Sequence, residues 1–299
     1  MQTSTILVAG ATGLLGNEIC RQLRAKNLPV KAMVRTTTDP VKIEQLTKLG
    51  VQVVQGDLRN KETFSKALQG VTAVITTISA MPFSYKPGEN DIQLVDENGT
   101  INLIDASKSA GVKHFIYTSV PISDLGSPLS IVKAKVERHL QKSGLTYTIL
   151  RANAFMEVWL SAAVGFDALN GKVNICGAGT NLIAYISFKD VAKFAVESIS
   201  NPASKNTVLE LGGPQNISQL DAVKLFEEAL HKKIEVQHVP VETLQAQFSG
   251  ATDGMQKSFS GLMLDVAKGM PNNMEDILKT FPIKLTSVEE YVRRIASAS

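Results

Sequence analysis

Short runs of β-branched and other apolar residues recur through the first half of the chain, at about 5–9, 30–35, 51–55, 72–77, 113–118 and 145–151. The stretches between them carry apolar residues at helical spacing, which predicts helices at about 14–26, 40–49, 61–68, 91–110 and 130–143. Gly50, Gly70, Gly111 and Gly144 stand where those helices are expected to stop. The strand runs are continuous apolar blocks and not alternating ones, the mark of a sheet covered on both faces. This β-α rhythm predicts an α/β fold with a doubly wound parallel Rossmann sheet.

Past residue 151 the rhythm loosens, with Gly165, Gly171, Gly177 and Gly179 breaking the chain ahead of an apolar-rich stretch at 183–199. The expected division is a nucleotide-binding domain over 1–151 and a smaller C-terminal α/β region over 152–299, partly interleaved with the first. One helix in the second region announces itself: Ser218 and Asp221 form a capping pair, and Ile217, Leu220, Val223, Phe226 and Leu230 share a face. The segment 248–273 is rich in Gly, Met and Ser and weak in periodicity, which fits either a flap or a surface loop.

Composition narrows the classes. The chain has 299 residues, 44% hydrophobic and 20% charged, with 31 basic and 28 acidic residues well mixed for a net charge of +3. No basic stripe is present to hold a phosphate polymer or an anionic membrane, so no nucleic acid partner is expected. The longest uncharged run, 67–85, is broken by Gly70 and Pro82 and is not expected to span a bilayer. The N-terminal residues lack the basic start and cleavage site of a signal peptide. Cys20 and Cys176 are too few for a disulfide framework or a thiolate metal site and are expected as free thiols, which points to the cytoplasm. His114, His139, His231 and His238 show no metal-ligand spacing and read as surface or packing residues.

The first strand runs into Gly10-Ala11-Thr12-Gly13-Leu14-Leu15-Gly16 and then a helix. A glycine turn between strand and helix lets backbone N–H groups reach a pyrophosphate at the helix N-terminus, while the third glycine lets the helix sit close to the sheet. Strand two ends at Arg35, and no acid lies between Glu18 and Asp39. A carboxylate there would hold the ribose hydroxyls of NAD, whereas an arginine offers a charged fork to the 2′-phosphate of NADP(H). The plain alternative is a solvated arginine at the sheet edge. After strand three, Asp57 of Gly56-Asp57-Leu58 could accept from an adenine amino group or cap the helix that follows. Thr77, Ile78 and Ser79, after strand four, are suited to running beneath a ribose.

These motifs, together with the stretches 99–106, 113–119, 143–153, 185–192 and 211–214, resemble the atypical short-chain dehydrogenases of the NmrA-like group over nearly the whole chain. The resemblance implies a Rossmann fold, NADP(H) as cofactor and, as cofactor-binding positions, Gly10, Thr12, Gly13, Leu14, Leu15, Gly16, Arg35, Asp57, Leu58, Thr77, Ile78, Ser79, Ser119, Lys133 and Asn153. It does not select a substrate, because the group includes quinone reductases, isoflavone reductase-like enzymes, assembly factors and redox-sensing regulators. The wider superfamily's Tyr-x-x-x-Lys is represented here by Leu129-Ser130-Ile131-Val132-Lys133, so the tyrosine is missing and Lys133 is left as the catalytic candidate. The competing reading pairs Lys133 with Glu137, one turn on, along an exposed helix. Phe155, Met156 and Trp159 follow the last Rossmann strand, where they are either core or the lining of a planar substrate's site. Two functions follow: an oxidoreductase passing hydride from NADPH to a small conjugated or quinone-like acceptor, or an NADP(H)-binding regulator or assembly factor that engages a protein partner without turnover.

Overall fold

The structure, a computed structural model, describes residues 5–81 and 84–298. The N-terminal residues read for a leader and Pro82 of the uncharged run lie outside the described residues. In chain order the first elements are β1 (Thr5–Ala9), α1 (Leu14–Ala25), β2 (Val30–Val34), α2 (Pro40–Lys48), β3 (Gln52–Gln55), α3 (Phe64–Leu68), β4 (Val71–Thr76), α4 (Thr100–Ser109), β5 (His114–Ser119), α5 (Pro128–Lys142) and β6 (Thr146–Ala152). A π-helical segment, Ile92–Gly99, leads directly into α4. There follow α6 (Met156–Trp159), β7 (Phe166–Asp167), β8 (Lys172–Cys176), β9 (Leu182–Ile183), α7 (Phe188–Ser198), β10 (Thr207–Leu211), β11 (Ile217–Ser218), α8 (Gln219–Leu230), β12 (Glu235–Val239), α9 (Val241–Gly250), α10 (Gly254–Lys268), α11 (Glu275–Thr280) and α12 (Val288–Ala296).

The main sheet has the order β10-β6-β5-β4-β1-β2-β3. From β6 to β3 every neighbouring pair is parallel. This is a doubly wound Rossmann sheet whose strand order reverses between β1 and β4, and ligands of such sheets bind beyond the carboxyl ends of the strands at that point. Ile6, Leu7, Val8, Val74, Ile75, Phe115 and Ile116 are fully buried, as continuous apolar runs require when helices cover both faces.

The chain divides into two compact units. The first comprises residues up to Ile122, Pro128–Arg151 and Val191–Leu209; the second comprises Ser123–Ser127, Ala152–Asp190 and Glu210 onward. The segment 191–209 thus groups with the sheet, to which β10 adds a strand that the sequence pattern did not predict.

The second unit has its own core, including Met156, Phe166, Ile175, Tyr185, Phe226, Leu264 and Tyr291. Its α8 begins with the expected capping box, Ser218 Oγ accepting from Asp221 N at 3.0 Å and Asp221 Oδ2 accepting from Ser218 N at 3.2 Å. The flap or loop expected at 248–273 is instead largely α10. Asp253 caps it by accepting from Met255 N and Gln256 N, and its packed face carries Ser258, Ser260 and Gly261 beside Leu264 and Ala267. A face built from small residues leaves little trace in a hydrophobic pattern.

His114 is a packing residue, as expected, and it confers a pH dependence. On β5 its Nε2 meets Thr148 Oγ1 at 2.8 Å, and that hydroxyl donates to the Ser204 carbonyl. Burial, with a smaller contribution from the Lys205 charge, lowers its pKa from 6.5 to about 4. Between those values the unfolded chain takes up a proton that the folded one refuses, so stability present above pH 6.5 is lost as the pH falls toward 4. Urea unfolding is expected to show His114 costing about 2 kcal/mol between about pH 7 and about pH 5. His114→Gln should flatten the curve by that amount; an unchanged slope would refute the assignment.

Candidate functional site

At the carboxyl end of β1 the chain turns through Gly10, whose φ of +90° a side chain would strain, and whose added Cβ would stand 2.6 Å from Thr77 Oγ1. Gly13 N donates to the Gly10 carbonyl at 3.0 Å and closes the turn. Gly16 lies against the same peptide: a Cβ there would stand 2.1 Å from the Gly10 oxygen. Gly13 differs, because it is exposed, has a φ of −85° and would bring a Cβ no nearer than 3.4 Å to the Gly10 oxygen. It is the N-cap of α1, and no side chain caps that helix end, so the first-turn N–H groups are open to an anion. Thr12 is half-buried, Leu14 is exposed beside this opening, and Leu15 packs inward.

Thr77 N donates to the Ala9 carbonyl at 2.9 Å, which brings Thr77, Ile78 and Ser79, all half-buried, to the same edge. Arg35, at the end of β2, is half-buried and donates from Nη1 to Asn90 Oδ1 at 3.1 Å. The sequence reading missed Asn90, since nothing in the pattern ties position 90 to position 35. It also missed Arg59, which grips the Asp57 carboxylate through Nη2 at 2.5 Å and Nε at 2.9 Å and reaches the Glu89 carbonyl. These bonds, chiefly, hold the Asp57 carboxyl below the usual carboxylate range, with a smaller effect from the Arg35 charge. Asp57 Oδ1 also accepts from Arg59 N at 3.0 Å within the turn after β3, while the short helix that follows, Lys61–Thr63, is capped by Asn60 accepting from Glu62 N. Leu58 is buried, and a Cβ on Gly99 would stand 2.6 Å from its own.

Lys133 does not pair with Glu137. The inward stripe of α5 is Leu129, Val132, Lys133, Val136, Glu137 and Leu140, so both ionic residues are buried. Glu137 is held by Arg151 at 2.6 Å, whereas the Lys133 ammonium lies 3.4 Å from Asp96 Oδ1 and 3.4 Å from the Ile78 carbonyl oxygen. It also stands 5.1 Å from the centre of the Tyr117 ring, within reach of a cation–π attraction. Tyr117 is 1% exposed, and burial first, then the Asp96 and Glu137 charges, push its phenol well above its ordinary range. Tyr117 is therefore no substitute for the missing tyrosine, which works by losing its proton readily. Ser119 is buried at the end of the same strand with its hydroxyl unpartnered among the described residues. Asn153 falls in the second unit, its side chain donating to the Met270 carbonyl at 2.9 Å and accepting from Ala154 N at 2.7 Å.

Cys20 and Cys176 are both free and buried, and burial pushes their thiols up to about 12 and about 11, which makes them poor nucleophiles. Among the described residues no group of three His, Cys, Asp or Glu side chains could hold a metal ion, and no helix is long and apolar enough to cross a membrane.

The sequence pattern of the NmrA-like family matches residues 2–292. The chain belongs to this family. Relatives within reach of the NmrA-like chain include a photosystem II assembly factor of Trieres chinensis, 28% identical over 96% of this chain and 91% of that protein. An NAD(P)H azoreductase of Xenophilus azovorans is 29% identical over 93% of this chain and 91% of its own. Among solved structures, an NADPH-dependent quinone oxidoreductase of Escherichia coli complexed with NADPH superposes with a TM-score of 0.78 at 25% identity, over 97% of this chain and 99% of that one.

Proposed function

We propose that this NmrA-like protein binds NADP(H) and transfers hydride from NADPH to a small, planar, conjugated or quinone-like acceptor. The observation that carries the reading is the uncapped glycine turn at the sheet's reversal point, with an arginine and no acid at the end of the next strand. The cradle fits a dinucleotide, because the space a Cβ would fill is already taken by Thr77 and Ile78 at Gly10 and by the Gly10 peptide at Gly16, while the helix end stays open. Gly10, Thr12, Gly13, Leu14, Leu15 and Gly16 would hold the pyrophosphate, Asp57 and Leu58 the adenine, Thr77, Ile78 and Ser79 a ribose, and Ser119 and Lys133 the nicotinamide end. When bound, NADPH supplies a hydride. Lys133 would donate a proton to the reduced acceptor or a hydrogen bond to ribose hydroxyls, and solvent is the other proton source. The quinone oxidoreductase and azoreductase relatives support an easily reduced acceptor.

The second reading, an NADP(H)-binding assembly factor or regulator with a protein partner, is favoured by the likeness to the photosystem II assembly factor and by the missing tyrosine. A cytoplasmic location suits both.

The cofactor assignment is tested at Arg35. A hydrogen bond to a charged group contributes roughly 1.5–3 kcal/mol, so Arg35→Ala should weaken NADPH binding roughly ten- to a hundredfold by calorimetry and leave NADH binding nearly unchanged. Arg59 is already committed to Asp57 and the Glu89 carbonyl, so Arg59→Ala should cost less. Equal loss for both cofactors at Arg35, or a larger loss at Arg59, would overturn the assignment.

A further inference from the structure

Four buried side-chain oxygens have no hydrogen-bond partner among the described residues: Asp96 Oδ1, Tyr117 Oη, Thr118 Oγ1 and Ser119 Oγ. Three are consecutive on β5. The fourth belongs to the carboxylate that faces the Lys133 ammonium. Unpaired buried polar atoms are costly, and two of these four residues, Asp96 and Tyr117, face the same Lys133 ammonium, which marks a place built for something other than stability.

Asp96 is 0% exposed and lies within the π-helical segment Ile92–Gly99. Such segments are rare and are used where an ordinary helical register would aim a side chain elsewhere. Its two oxygens have different work. Oδ2 accepts from Ala80 N at 2.9 Å, and Oδ1 faces Lys133 Nζ at 3.4 Å. Lys133 Nζ in turn lies 3.4 Å from the carbonyl oxygen of Ile78. One carboxylate thereby ties down both the Ile78–Ala80 segment and the ammonium beside it.

The other charged and titratable groups around Lys133 do not duplicate this. Glu137, on its own helix, is engaged by Arg151. Glu97, next to Asp96, is engaged by Lys135. Tyr117 presents its ring face, and its phenol stays neutral. Burying two charges for stability alone is a poor bargain, since well-packed apolar residues of similar size serve as well or better.

We propose that Asp96 is a positioning residue for Lys133: its buried carboxylate holds the ammonium at the carboxyl edge of the sheet and fixes the Ile78–Ala80 segment beneath the same ligand. This rests on the reading of Lys133 as a site residue. Asp96 acts through Lys133 and does not itself touch a substrate.

Asp96→Asn separates the two tasks. The amide keeps an oxygen that can accept from Ala80 N, so a purely structural role survives, while the negative charge facing Lys133 is lost. NADPH affinity by calorimetry and turnover at saturating NADPH are measured for wild type, Asp96→Asn, Asp96→Glu, Lys133→Met and the double variant Asp96→Asn/Lys133→Met. Asp96→Asn is expected to lose roughly tenfold or more in whichever of the two quantities Lys133→Met lowers, and to leave the other unchanged. Asp96→Glu, which restores the charge, should recover part of that loss. The double variant should be no worse than Lys133→Met, because a residue that acts through another has no effect once the other is gone. If Asp96→Asn does not fold, the double variant, which leaves no unpaired charge, carries the test: a further loss beyond Lys133→Met overturns the proposal. A silent Asp96→Asn beside a damaged Lys133→Met overturns the role of Asp96 alone. A Lys133→Met protein unchanged in both quantities overturns the reading of Lys133 and the proposal with it.

Discussion

Lys133→Met is expected to lower turnover by about 10²–10⁴ on any acceptor that the wild-type protein reduces, with NADPH affinity little changed, if the ammonium supplies the proton. If it instead serves the ribose hydroxyls, affinity falls and the rate at saturating NADPH holds. Measuring both quantities separates the roles. The methionine keeps most of the bulk of the buried stem, but it leaves the Asp96 carboxylate buried without its counter-ion, which costs about 3–5 kcal/mol of stability. Assays therefore belong well below the variant's melting temperature, which should be recorded alongside. With folding intact, wild-type turnover and wild-type affinity together would leave Lys133 an ion-pair partner of Asp96 and nothing more.

Gly13→Val carries the second large effect. Gly13 is exposed, has an ordinary φ and offers open space beyond the Gly10 oxygen, so valine should be accommodated with most of the folded signal retained. That space lies at the uncapped N-terminus of α1, where a pyrophosphate must come close to backbone N–H groups. NADPH affinity is expected to fall by roughly two orders of magnitude or more. Gly16→Ala is the instructive contrast: its Cβ would collide with the Gly10 carbonyl at 2.1 Å, so it should disturb the turn itself and lower the melting temperature. Normal NADPH binding by a folded Gly13→Val protein would make the loop a packing device.

The Rossmann half was legible because its signals are local. Apolar runs, glycine stops and the turn after β1 put six strands within a residue or two of where they lie, while the helix expected at 91–110 is a π-helical segment running into α4 and the one expected at 61–68 opens with a 3-10 turn at Lys61–Thr63 before α3. The strand at 207–211 was not, since it joins the sheet from the far side of a long excursion and its pairing with β6 is a matter of tertiary contact. The same limit hid α10 behind small residues and left open a helix cap at Asp57 that Asn60 makes. For Lys133 the signal against the competing pair with Glu137 was present in the sequence. The apolar residues Leu129, Val132, Val136 and Leu140 fall on the stripe that contains it, which argues for an inward lysine and against an exposed pair with Glu137. Its true partner, Asp96, lies 37 positions away in a π-helical register that no α-helical periodicity reveals.

The proposed function stands on turnover of NADPH. The most direct measurement follows NADPH oxidation against a panel of quinones, conjugated enones and aldehydes, beside a binding titration with NADPH. Saturable binding and oxidation with at least one quinone or enone are expected. Saturable NADPH binding with no oxidation on any class of acceptor would contradict the proposed function.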